Sequence, residues 1–171
     1  EKRLMLFSGG GYPELAERIA DRLDLELGSV ELVQFSNGEV YARYLESVRG
    51  SDVFIVQSLC DPVNKNLMEL LVMVDAAKRA SAESIVAVIP WYAYSRQDRK
   101  TKPREPITAR LVAEMLKVAG ADRIMTMDLH VGQIEGFFSF PVDHLTAMQT
   151  FVDHFVDEGF QNAPDTVVVA P

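Results

Sequence analysis

Val53-Phe54-Ile55-Val56, a helical pattern over 66–79, and Ile85-Val86-Ala87-Val88-Ile89 decide the fold. Both short runs are rich in Val and Ile and carry no polar alternation, the pattern of strands buried on both faces. The segment between them repeats apolar residues at three- and four-residue spacing, as a helix with one face on a core does. Two strands joined by a connection too long for a hairpin predict parallel pairing.

The same two patterns recur outward from this unit. Residues 4–7, 124–127 and 167–169 read as strands, and 14–23, 108–119 and 148–158 as helices. The alternation predicts an α/β fold, a mainly parallel sheet with helices on both faces. One segment breaks it. Strand-like residues 30–35 and 40–45 flank Ser36-Asn37-Gly38-Glu39, and Asn-Gly in that setting signals an antiparallel hairpin. It is expected to stand out as a flap, with Phe35 and Glu39 facing solvent or a neighbouring chain.

The chain has 171 residues, 48% hydrophobic and 25% charged, which suits one compact domain over 1–171 and excludes a disordered chain. No apolar run approaches the length of a bilayer, and the one at the start is too short for a signal peptide, so the expected setting is the cytoplasm, with no membrane partner. Cys60 is the sole cysteine, which excludes an internal disulfide and paired-cysteine zinc sites; it reads as a small buried thiol. A net charge of -8 argues against a nucleic-acid partner, so an anionic ligand must meet a local basic patch. Residues 166–171 read as a strand and its exit, where ligand-binding residues normally follow, and the chain is expected to continue in nature.

Ligands of open α/β sheets sit beyond the carboxyl ends of strands, and three such places stand out. Ser8-Gly9-Gly10-Gly11 has the position of a phosphate loop but neither of its spacings, and a flexible turn with Pro13 opening a helix is favoured. The segment after Ile89 holds Arg96, Arg99, Lys100, Lys102 and Arg104 among three aromatics. Its charges alone would fit a solvated loop equally well, and the aromatics favour a polyphosphate site. Asp128-Leu129-His130 follows the strand over 124–127, and alternation in extended chain would put Asp128 and His130 on one side, facing one hydrated divalent ion. A structural hydrogen-bonding role for His130 is the competing reading.

These segments together resemble the ribose-phosphate pyrophosphokinase family. The resemblance rests on Phe35-Ser36-Asn37-Gly38-Glu39, Ser47-Val48-Arg49-Gly50, Asn66-Leu67-Met68-Glu69-Leu70-Leu71, Ser95-Arg96-Gln97-Asp98-Arg99 and Ala119-Gly120-Ala121-Asp122. It continues through Asp128-Leu129-His130 and Gln133-Ile134-Glu135-Gly136-Phe137-Phe138, all in order. It implies a phosphoribosyltransferase-like amino-terminal domain over 1–171, without the carboxy-terminal domain, of an enzyme that moves a diphosphate from ATP to the 1-hydroxyl of ribose 5-phosphate.

By the same resemblance, Phe35, Asn37 and Glu39 would hold adenine, and Arg96, Gln97 and Asp98 the rest of ATP. Arg96 and His130 would be catalytic, with Asp128 and His130 serving Mg²⁺. A homo-oligomer, hexameric or built from dimers, is implied, its flap reaching a neighbour's site. Ser47, Arg49, Lys100 and Arg104 would contact phosphate or ADP as effectors. Ser139 departs from the Asp of many relatives. The ribose 5-phosphate loop and a catalytic Lys/Arg loop are expected beyond Pro171, so these residues alone are expected to be inactive. Two other readings stand beside this one: a catalytically silent relative that assembles with active subunits, and a phosphoribosyltransferase, which would not explain the flap or the Arg96-Gln97 pair.

Overall fold

The computed structural model describes residues 3–163 together with 165, 167 and 169. Five strands form one sheet: β1 (Leu4–Ser8), β4 (Asp52–Val56), β5 (Ser84–Ile89), β6 (Arg123–Met127) and β7 (Val142–Leu145), in that spatial order and parallel throughout. The hairpin of β2 (Val30–Gln34) and β3 (Val40–Tyr44) is a separate antiparallel sheet. Among the described residues four α-helices accompany them: α1 (Pro13–Leu23), α2 (Val63–Arg79), α3 (Thr108–Ala119) and α4 (Met148–Asp157).

Strand alternation divides the core between the two faces of the sheet. Phe7, Val53, Ile55, Ile85, Ala87, Ile89 and Ile124 point one way and pack with Leu70, Met73 and Val74 of α2 and Val112 and Leu116 of α3. Leu6 and Val56 point the other way, onto Ala16 and Ala20 of α1. The small alanines let α1 lie close to the sheet. Helices thus cover both faces, as the alternating pattern predicts. Helix α2 begins three residues before the expected start, with Pro62 as its N-cap.

The hairpin is an appendage with one wet face. Tyr44 turns inward, its ring edge on Phe7 at 4.6 Å and its hydroxyl donating to the Met73 carbonyl at 3.0 Å. Val33, Phe35 and Tyr41 remain exposed. Gly38 takes the positive φ, 92°, and its N–H bonds the Phe35 carbonyl at 2.8 Å, while Phe35 N–H bonds the Glu39 carbonyl at 2.8 Å. The reversal is therefore a three-residue loop in which glycine supplies the left-handed step.

Two local expectations are corrected. Ser8-Gly9-Gly10-Gly11 is a pinned turn and not a flexible one. Gly10 N–H donates to Glu69 Oε1 at 2.6 Å and Gly11 N–H to Gln57 Oε1 at 2.8 Å, so buried side chains occupy the amides an anion would need. A Cβ on Gly9 would stand 2.3 Å from Gln57 Oε1, which explains the glycine. Cys60 is half-buried rather than buried, and its Sγ lies 3.6 Å from the Gly11 carbonyl. The strand expected at 167–169 includes residue 168, outside the described residues. Among the described residues, no helix is long and apolar enough to cross a membrane.

The tightest approach in the core gives a stability prediction. Gly28 bonds the Leu6 carbonyl at 2.7 Å beside the fully buried Phe7, and a Cβ there would meet the Phe7 ring at 2.2 Å. A ring wedged in a close-packed core cannot retreat. Gly28→Ala is expected to cost about 1–3 kcal/mol, the usual range for overpacking, read as a lowered midpoint in urea. An unchanged midpoint would contradict this packing.

Candidate functional site

The connection from β5 to α3, residues 90–107, is irregular because Pro90, Pro103 and Pro106 deny it regular backbone bonding. Side chains order it instead. Tyr92 is buried, its hydroxyl donating to the Ala109 carbonyl at 2.9 Å and its ring edge on Phe138 at 5.6 Å; burial pushes its phenol pKa up. Tyr94 adopts a left-handed backbone, φ 61°, and its hydroxyl pairs with Asn64 Oδ1. Of the three aromatics, Tyr92 is thus chiefly a core residue, while Trp91 is exposed.

Gln97 ties this loop to α3. Its carbonyl accepts Ala109 N–H at 3.2 Å, one of the first-turn amides with no partner inside the helix, and its Oε1 accepts the Thr108 hydroxyl at 2.6 Å. Glu105 closes the loop's far end. One carboxylate oxygen accepts Lys102 N–H, Thr101 N–H and the Thr101 hydroxyl at 2.8–2.9 Å, and these bonds hold its carboxyl below the usual glutamate range. Among the described residues, the side chains of Arg96, Arg99, Lys100, Lys102 and Arg104 have no acidic partner. Among the described residues, this one loop thus carries five cations without an ion pair, against the two carboxylates of Asp98 and Glu105, in a protein of net charge -8.

At the end of β6 the chain does not continue as extended strand. Asp128 has φ 45°, so the alternation from which Asp128 and His130 were expected to share a side stops at Met127. The turn is held by its neighbours. Asp128 N–H bonds the Leu145 carbonyl at 2.9 Å, and its carboxylate accepts the Thr146 hydroxyl at 2.9 Å and Ala147 N–H at 3.2 Å. Leu129 is buried, and His130 is exposed with no hydrogen-bond partner among the described residues.

The two strand ends meet across a cleft of about 540 Å³. Arg96, Gln97, Asp128 and His130 all line it, with Trp91, Tyr94 and Asn64. Its position is the one the strand-end rule expects. Asn64, at the start of α2, was missed by sequence reasoning; the carboxyl end of β4 just before it was the available signal. Asp98 does not line this cleft, nor do Phe35, Asn37 and Glu39, which stay on the hairpin tip, where the Asn37 amide donates to Glu39 at 2.9 Å. Ser47 and Arg49 line a separate recess of about 320 Å³ beside Arg43 and Glu46, without Lys100 or Arg104. Among the described residues no cluster of three or more His, Cys, Asp or Glu side chains could hold a metal ion.

Similarities to known proteins converge on one family. The family model described as the N-terminal domain of ribose phosphate pyrophosphokinase matches residues 4–120. A ribose-phosphate pyrophosphokinase of Clostridium perfringens is 56% identical over 170 residues, covering 99% of this chain and 53% of that protein. Ribose-phosphate pyrophosphokinase 2 of Enterococcus faecalis is 52% identical over 171 residues, covering 100% and 53%. The crystal structure of phosphoribosylpyrophosphate synthetase from Mycobacterium smegmatis superposes with a TM-score of 0.90 at 50% identity, over 94% of this chain and 54% of that one. The chain spans about half the length of the curated relatives it matches. With a family match across both the hairpin and the basic loop, and a solved relative of the same fold, the chain belongs to the ribose-phosphate pyrophosphokinase family.

Proposed function

We propose that the protein containing this chain transfers the diphosphate of ATP to the 1-hydroxyl of ribose 5-phosphate, and that the cleft between the β5 and β6 ends receives the ATP phosphates. The observation that carries this is the meeting of Arg96 and His130, neither with a side-chain partner among the described residues, in one cleft beside a loop of net positive charge. In the step, the ribose 1-hydroxyl oxygen bonds the β-phosphorus, the bond from that phosphorus to the oxygen bridging the α-phosphate breaks, and AMP leaves with that oxygen. The hydroxyl proton passes to solvent or to a base. Little covalent chemistry falls to the protein, so its work is positioning and charge stabilisation.

Arg96 supplies a planar donor fork for phosphate oxygens as charge moves towards AMP. Gln97, fixed to Thr108 and Ala109, holds Arg96 at the cleft wall. The donor set fits a Mg²⁺ that arrives on ATP with most of its waters, His130 being the side chain free to touch it and Asp128 lining the same cleft. It does not fit an all-protein cage, since three ligating side chains are not brought together. When bound, Mg²⁺ would supply neutralising charge at the phosphate oxygens.

The exposed hairpin tip supports an adenine contact made in a neighbouring subunit of a homo-oligomer. Phe35 is 49% exposed and lies outside its own chain's cleft, while Asn37 and Glu39 present polar atoms to a base edge. Phosphate or ADP as an effector would meet Ser47 and Arg49 in their recess, with Lys100 and Arg104 exposed and unpaired. Full-length protein given Mg²⁺ and ATP is expected to release AMP only when ribose 5-phosphate is added, followed by chromatography of the nucleotides. No AMP above background would reject the assignment in favour of a silent relative.

A further inference from the structure

We propose that His144 and Glu135 form a positioning pair that sets the backbone from which His130 enters the cleft, an inference that rests on the reading of that cleft given above. His144 lies on β7, the edge strand beside β6. Its Nε2 accepts the Leu129 N–H at 3.1 Å. A ring nitrogen that accepts is unprotonated, so the proton of the neutral imidazole sits on Nδ1, which lies 2.6 Å from Glu135 Oε1. Glu135 therefore selects the tautomer that leaves Nε2 free to accept, as a carboxylate behind a functional histidine commonly does.

The backbone needs this hold. Asp128 sits at φ 45°, a conformation that persists in a non-glycine residue only where its surroundings over-determine it. Three of the bonds that restrain the turn come from the Leu145 carbonyl, the Thr146 hydroxyl and Ala147 N–H, and all three act on Asp128. The bond from Leu129 to His144 is the one adjacent to His130, and it alone depends on the protonation pattern of a second side chain. Glu135 belongs to the 3-10 turn Gly132–Phe137, which follows His130 directly. The pair thus pins both sides of His130, from β7 before it and through Glu135 after it. The His130 side chain makes no bond of its own among the described residues, so its direction is inherited from this backbone.

The test separates geometry from simple stability with two substitutions at exposed Glu135. In the full-length protein, Glu135→Ala lets the proton move to Nε2, where it faces the Leu129 N–H. It should lower kcat by about 10-fold, the low end of the range for removing an outer-shell partner, because Glu135 acts on His130 only through His144 and the Leu129 backbone, with KM for ATP nearly unchanged. Glu135→Gln keeps an oxygen to accept from Nδ1 and should restore most of the activity. Amide exchange at Leu129, followed by NMR, should be faster than in the unmodified protein for Glu135→Ala and close to it for Glu135→Gln. Equal behaviour of the two variants, in kcat or in Leu129 exchange, would overturn the pair. If the unmodified protein released no AMP, the reading of the cleft would fail, and Leu129 exchange would still decide whether the pair holds this backbone.

Discussion

In the full-length protein, Arg96→Ala is expected to lower kcat by about 10²–10³-fold, the cost of removing one preorganised donor aimed at developing charge, with a smaller change in KM for ATP. The asymmetry follows from where Arg96 stands. It lines the cleft without an acidic partner among the described residues, so its charge is not already spent on an ion pair. Four other cations on the same loop lie outside the cleft lining and would still attract ground-state ATP at longer range, so losing Arg96 should weaken its attraction only in part. Charge that shifts onto the oxygen leaving with AMP needs a donor at one place, and that need is greatest in the transition state. Arg96→Lys should recover a fraction of the loss, because an ammonium keeps the charge but not the planar fork. Steady-state AMP release measures both variants. Normal turnover by a folded Arg96→Ala protein would make Arg96 a solvated loop charge.

How far the sequence carries towards this site depends on the range of the interactions involved. The central strands were legible because each is flanked on both sides and buries most of its residues, so β4 and β5 appear as apolar runs rich in Val and Ile after a polar first residue. Strand β7 was not, since among the described residues Val142-Asp143-His144-Leu145 pairs on one side only and its polar residues face neighbours: Asp143 an arginine of β6, His144 the Leu129 amide. The strand-end rule placed Arg96, Gln97, Asp128 and His130 at one edge of the sheet without any knowledge of their contacts. It could not show that Asp128 breaks the extended chain, because the bonds that force φ 45° come from residues 17–19 positions away. The pinning of Gly10 and Gly11 by side chains 59 and 46 residues distant lay beyond local reading for the same reason. A triple-glycine turn advertises freedom in sequence. Here its glycines mark close approach.

A protein limited to these 171 residues is expected to make no phosphoribosyl pyrophosphate, although it should retain weak affinity for Mg-ATP. On the proposed reading the cleft would serve one reactant, the polyphosphate, and the resemblance to the family implies that the loop for ribose 5-phosphate and a catalytic lysine lie outside the half of the relatives that this chain spans. Holding both reactants in line is worth roughly 7–11 kcal/mol in well-oriented systems, so forfeiting one site removes a factor that no stronger phosphate contact can replace. The residual affinity has separate causes. Arg96 and Gln97 are ordered within this chain by Tyr94, Thr108 and Ala109, so their cleft persists without a second domain. Its strength should rise with protein concentration if the hairpin tip completes the adenine contact in a second copy, since Phe35 cannot serve its own cleft from outside it. Calorimetry with Mg-ATP at several protein concentrations, beside an AMP-release assay with ribose 5-phosphate, tests both parts. Turnover by the pure 171-residue protein would place every essential group within it, and concentration-independent binding would remove the hairpin from the adenine site.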